Sequence, residues 1–372
     1  MDSSIKTKES RNSSIELLRI IAGFMIISNH FINHGVLQPI SDYIEKVYNT
    51  NLAFSQLASL FYCPENEIFI IITGYYLSYK KYQGEGAFKR IFILAIEQLF
   101  YSVLFVLINY SLHLGWIVSI KQLIDCLFPL FFGRNWFISC YIIFCVFIVP
   151  LLNILLKNLD KQKLFMLFLV CFSLHSFLPV FGIRTFVSNG NGILMFMEGY
   201  VLGAFLRRYE DEYQTVLFYK ILVGSYFALA ASMIAMITIG CRYHSNLILN
   251  NVTIFTTVFD VAIAASLFVI FKRKSFSNKY INIVAKSVLG IYLISENDLL
   301  WPHLWTEYFK CQDIVYSSLS YAFLKGMSLI LIVFCGSFII DLVRRFIFKF
   351  LTPKFLQIYD HIESCIFRVL KL

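Results

Sequence analysis

Three ionisable residues, Glu16, Arg19 and His30, stand in a stretch that is otherwise almost wholly apolar, IELLRIIAGFMIISNHF over residues 15–31. An imidazole accepts and donates protons near neutral pH, which is what a hydroxyl needs when it attacks an acyl carbon. A guanidinium is suited to phosphate. On an α-helix the eleven positions from Arg19 to His30 make close to three turns. The two side chains then differ by about 20° around the axis and stand about 16 Å apart. Glu16 lies three positions before Arg19 and close to the same face. Gly23 between them admits a neighbouring helix or a ligand. Ionisable groups at membrane depth are costly, and by default they mark a function. The plainer alternative is an ion pair of Glu16 with Arg19 at a helix start and an interfacial anchor at His30.

Such a stripe needs a helix in an apolar setting, and the composition supplies one. The chain has 372 residues, 58% of them hydrophobic and only 15% charged, with a mean hydropathy of +0.70. Soluble domains carry about 25% charged residues. The apolar runs therefore predict an all-α fold, a polytopic integral membrane bundle of about ten transmembrane helices. The net charge of +9 fits basic loops against an anionic membrane surface. No basic, aromatic-interleaved platform is present, so membrane lipids are expected as partners and nucleic acid is not. Nine scattered cysteines form no CxxC pair and suggest no disulfide framework.

The spans fall at about residues 17–37, 54–79, 91–113, 136–156, 164–181, 192–206, 216–239, 252–271, 280–300 and 316–343. The apolar stretch 123–132 is too short to cross. All but seven of the 32 Lys and Arg then fall on one side; the seven are Lys46, Lys121, Arg134, Arg184, Arg242, Lys310 and Lys325. The positive-inside rule puts both termini in the cytoplasm. The expected organisation is a cytoplasmic segment over 1–16, a transmembrane domain over 17–343, and a basic tail over 344–372. That tail is either an amphipathic helix on the membrane surface or a fraying helix end. All four tryptophans (Trp116, Trp136, Trp301 and Trp305) fall near the outer surface, as an interfacial belt would.

Arg19, ten intervening residues, then His30 resembles the signature of the integral-membrane acyltransferase-3 family. That family includes O-acetyltransferases of bacterial surface polysaccharides. Further segments are similar to the family's. EIFIIITGYYLSYK (67–80) matches its second-span run, with Thr73 where Ser is common. RNWFISCYIIFCVFIVPLLN (134–153) matches its aromatic-rich fourth span. MEGYVLGAFLRR (197–208) matches its Gly-aromatic-x-x-Gly segment. LGIYLISENDLLWPHLW (289–305) matches a late span, with Ser295 where many members carry histidine.

Other residues enter as binding candidates. Glu97 inside the third span either pairs back to Lys89 or Arg90 or shapes a donor site with Arg19. Arg134 and Trp136 either anchor the interface or bind sugar or acyl phosphate. Glu198 sits in an apolar helix whose Gly199, Gly203 and Ala204 surface should pack tightly. Arg207 and Arg208 either meet donor phosphates or serve as topological charge. Ser295, Glu296 and Asn297 form a polar patch able to hold a sugar hydroxyl. No HExxH, Walker A, Rossmann or GxSxG pattern is present, and no metal site is expected.

The resemblance implies a multi-pass protein of the bacterial inner membrane. It would transfer an acyl group, usually acetyl from acetyl-CoA, to a hydroxyl of a surface glycan or its lipid-linked precursor. His30 would carry the chemistry with Arg19 and Glu16, and no tightly bound cofactor is implied. A transporter or polysaccharide exporter is the competing class, in which the polar residues inside spans would bind cargo.

Overall fold

The computed structural model describes residues 12–78, 85–116, 118–183 and 192–370. Among these the chain is 82% helical and contains no strand. The expected basic positions Lys6, Lys8, Arg11, Lys80, Lys81, Arg184 and Lys371 lie outside the described residues.

The first helix, α1 (Ser13–His30), starts earlier than the expected span because Asn12 caps it, its side chain accepting from the Ser14 amide at 3.0 Å. Beyond His30 the helix widens into a π-turn over Phe31–Leu37. The other principal helices are α2 (Glu65–Leu77), α3 (Glu85–Ser111), α4 (Trp136–Lys157), α5 (Lys161–Phe181), α6 (Ile193–Arg208), α7 (Thr215–Arg242), α8 (Thr256–Lys272), α9 (Lys279–Ala285), α10 (Val288–Ser295) and α11 (Leu319–Leu370).

Among the described residues six helices are long and apolar enough to cross a membrane: the one running on from α1 over Ser13–Val47, then α3, α4, α5, α7 and α11. That is fewer than the ten expected from sequence. The other four expected spans are helical too, but they form shorter pieces of 13 (α2), 16 (α6) and 17 (α8) residues, and the broken pair α9 and α10. At 1.5 Å per residue these reach only about 20–26 Å for the first three. These short helices supply many of the residues buried at the centre, whereas α7 and α11 expose long apolar faces.

α1 is tied at its start to the α8–α9 connection. The Ser13 amide donates to the Phe276 carbonyl at 2.9 Å, and the Ser14 hydroxyl donates to the Phe271 carbonyl at 2.7 Å. Halfway along, Gly23 lets α1 lie against α10, since a Cβ there would come within 2.9 Å of Val288 Cγ1. α2 and α6 meet backbone to backbone, as the small residues suggested. A Cβ on Gly74 would lie 2.3 Å from the Tyr200 carbonyl oxygen, and one on Gly203 would lie 2.4 Å from that of Ile71. No side-chain rotation relieves a clash with backbone. Gly74→Val should therefore cost at least ~1–3 kcal/mol of stability, read as a lower melting temperature in detergent. Gly224→Ala, where nothing lies within 4 Å, should leave it unchanged.

One sequence expectation is revised by packing. Trp305 is wholly buried, with Phe31 edge-on to it, so it does not belong to a lipid-facing belt. Residues 344–370 are the continuation of α11, which runs through them as part of one 52-residue helix.

Candidate functional site

The Arg19–His30 stripe exists as an unbroken α-helix, so the spacing of about three turns holds. At its first end Arg19 Nη1 donates to Glu16 Oε2 at 3.1 Å. Glu16 is buried and Arg19 half-buried. At its other end His30 Nδ1 lies 3.0 Å from Glu296 Oε2. Both side chains are mostly enclosed, with 16% and 10% of their surfaces exposed. The second carboxylate oxygen of Glu296 is buried without a hydrogen-bond partner.

Glu296 reaches His30 because α10 ends at Ser295. Ser295 and Asn297 turn inward. The Ser295 hydroxyl donates to the Tyr292 carbonyl at 3.4 Å, and Asn297 Oδ1 accepts from the Leu299 amide at 3.1 Å. Both are essentially inaccessible, so of the three-residue patch Glu296 is the one aimed at the imidazole. The loop is braced from the start of α4. Asn135 adopts a left-handed backbone, φ 51°, which asparagine tolerates, and donates to the Glu296 carbonyl at 3.1 Å. Arg134 Nε lies 3.3 Å from Asp298 Oδ2, with its own side chain only 5% exposed. Trp136 packs edge-on to Phe137. Arg134 thus acts on the loop that carries Glu296.

Around His30 the lining is rich in amides and hydroxyls. Asn29 donates to Glu65 Oε1 at 2.6 Å and accepts from Asn33. His34 stacks on His30 on one side and on Trp301 on the other, and its Nδ1 lies 3.0 Å from Gln38 Oε1. A cleft of about 490 Å³ opens beside His34, lined in part by Asn33, Gln38, Gln56, Asn250 and Thr253. A second of about 200 Å³ holds Asn29, Asn33, Tyr62, Glu65 and Thr253. Asn33 and Thr253 border both. Such amide and hydroxyl walls can exchange hydrogen bonds with a polyhydroxylated molecule.

The remaining candidates are placed elsewhere. Glu97 pairs with Arg344 of α11 at 2.6 Å, and the same guanidinium holds Asp341 at 2.8 Å. Asp341 also accepts from the Tyr101 hydroxyl at 2.8 Å. Lys89 pairs with Asp360 rather than with Glu97. Glu198 is fully buried on α6. His175 Nδ1 lies 2.6 Å from it, and the Ser176 hydroxyl donates to it at 2.8 Å. Arg208 donates to the Leu156 carbonyl at 2.6 Å at the end of α4.

Arg207 donates to the Tyr75 hydroxyl at 2.9 Å, which in turn bonds to Glu210. Glu210 lies past α6, outside the spanning segments. Its partial burial acts to raise the pKa of its carboxyl, but the Tyr75 hydroxyl and the Lys272 ammonium outweigh that and hold it below the usual value.

Sequence reading left His34 as no more than a possible polar neighbour, and it missed Glu65, Asn29 and Asn33 as members of the His30 cluster. The signal for His34 was its spacing of four from His30, one helical turn. Nothing local marked Glu65 or Asn29. The pairing of His30 with Glu296 joins positions 266 apart in the chain.

A family model described as an acyltransferase domain matches residues 12–354, nearly the whole described chain. No curated protein and no solved structure matches.

Proposed function

The chain belongs to acyltransferase family 3, and from that premise we propose that it is a membrane-bound O-acetyltransferase. It would move acetyl from acetyl-CoA to a hydroxyl of a cell-surface polysaccharide or its lipid-linked precursor, in a bacterial inner membrane with both termini in the cytoplasm. The observation that carries the reading is the imidazole–carboxylate pair of His30 and Glu296, 3.0 Å apart, with the ring of His34 that stacks on His30 lining the neighbouring cleft.

With Nδ1 of His30 facing Glu296, Nε2 is the nitrogen left to take a proton. The carboxylate orients the ring and stabilises the imidazolium that forms. The acceptor oxygen attacks the thioester carbonyl, an O–C bond forms, and the C–S bond breaks. The hydroxyl proton goes to His30, and the leaving CoA thiolate takes up a proton. The amides of Asn33, Gln38 and Asn250 suit a sugar rather than an apolar alcohol. Arg19, about 16 Å along α1, is the cation for donor phosphate, and the pantetheine arm would run along the helix toward His30.

The test has two parts. Surface glycan is compared by mass spectrometry with and without this chain, and purified protein is given labelled acetyl-CoA with the glycan. Loss of single acyl masses together with label transfer supports the reading. Loss of the whole polymer points to export. For Arg19→Gln, KM for acetyl-CoA should rise about tenfold or more with kcat less affected, since one charge-assisted contact is worth about 1.5–3 kcal/mol. An unchanged KM would remove Arg19 from the donor site.

A further inference from the structure

We infer that His30, His34 and Glu296 form a site for a divalent transition-metal ion of the Zn2+ class. One ring nitrogen from each histidine and one carboxylate oxygen all lie within 4.8 Å of one another. The sequence led to no such expectation, because Glu296 is distant in the chain.

Two imidazoles and a carboxylate are a donor set that borderline-soft ions prefer over Mg2+ or Ca2+, which favour all-oxygen shells. At metal–ligand bonds of about 2.0–2.2 Å, ligand atoms in a tetrahedral site stand about 3.4 Å apart. His30 Nδ1 and Glu296 Oε2 are already 3.0 Å apart. The third ligand needs to close by at most roughly 1.5 Å, within reach of a histidine side-chain rotation.

The surroundings are those of a held site. Gln38 Oε1 sits 3.0 Å from His34 Nδ1, which leaves Nε2 of that ring for an ion. Trp301 stacks on His34, with ring centres 4.2 Å apart, and limits its swing. The other oxygen of Glu296 is buried with no partner, a group that gains from a nearby cation. Three protein ligands leave a fourth position open.

The consequence for catalysis rests on the acyl-transfer reading. An ion on His30 engages the ring nitrogen beside Glu296, removes that carboxylate as its orienting partner and stops transfer. The metal site itself stands independently of that reading.

Purified chain without a polyhistidine tag is titrated with Co2+ as the spectroscopic probe, and with Zn2+ in competition. The expected result is one Co2+ per chain with the intense visible absorption of a tetrahedral site, displaced by Zn2+. His34→Gln and Glu296→Gln, each eluting as wild type, should weaken binding by at least about tenfold. In unmodified protein, Zn2+ should protect His30 and His34 from diethyl pyrocarbonate, mapped by mass spectrometry. Absence of one-to-one binding, or binding indifferent to both substitutions, or carbethoxylation unaffected by Zn2+ would each overturn the site. None of these readouts needs transferase activity. A protein that binds one ion yet shows no transferase activity even when metal-free would count against the acyl-transfer reading alone.

Discussion

His30→Asn should lower acetyl transfer by about 10²- to 10⁴-fold, the span a positioned general base contributes. Asparagine keeps a polar group near Glu296 and fits the same space, but its amide cannot take a proton from an acceptor hydroxyl. Expression and elution should match wild type, because His30 is partly exposed and its one described ion-pair partner is Glu296. The measurement is label transfer from acetyl-CoA, alongside glycan mass spectrometry in cells. Glu296→Gln should give a smaller loss, since that side chain orients the base without itself taking the proton. Wild-type acetylation in the asparagine variant would end the assignment of His30 as base.

The largest effect on stability should come from Arg344→Met. Arg344 is buried, and it alone among the described contacts supplies a cation to both Glu97 and Asp341. Breaking a buried ion pair from one side costs on the order of 3–5 kcal/mol, because a charge is left uncompensated. Here two carboxylates are left. Asp341 cannot move away easily: it is fully enclosed and fills the space above Gly290, where a Cβ would come within 1.9 Å of its Oδ1. The melting temperature should fall sharply. The triple variant Glu97→Gln, Asp341→Asn, Arg344→Met should recover much of it. A single variant as stable as wild type would refute this account.

These cases mark what was legible in the chain. Arg19 and His30 could be joined on paper because one regular helix carries both, and a helix has a fixed period. Gly74, Gly199 and Gly203 marked surfaces for close packing because only small residues let two backbones come that close, but not that α2 and α6 would be the pair. The partners of the polar groups were a different matter. Arg344 read as tail charge beside Arg345, yet it is inside, because its place depends on how α11 lies against α3 and α10. Glu296 was seen as one of three polar neighbours, and only the end of α10 decides that it points at His30 while Ser295 and Asn297 point away. The expected count of ten crossings rested on apolar runs, and four of those runs fold as pieces too short to be counted by length alone. Burial among other helices, and not contact with lipid, accounts for much of their hydrophobicity.

α11 has a mechanical consequence. Its 52 residues make a rod about 78 Å long, over twice the roughly 30 Å thickness of a hydrocarbon layer. It is clamped at two stations. Arg344 grips α3 through Glu97, and further on Asp360 and Tyr359 grip α3 again through Lys89 and Phe92. Between the stations stands Pro353, which cannot donate to the helix ladder and makes that point the easiest to bend. A bilayer that thins or thickens would flex the rod there, sparing the load on the ionic joint beside Gly290.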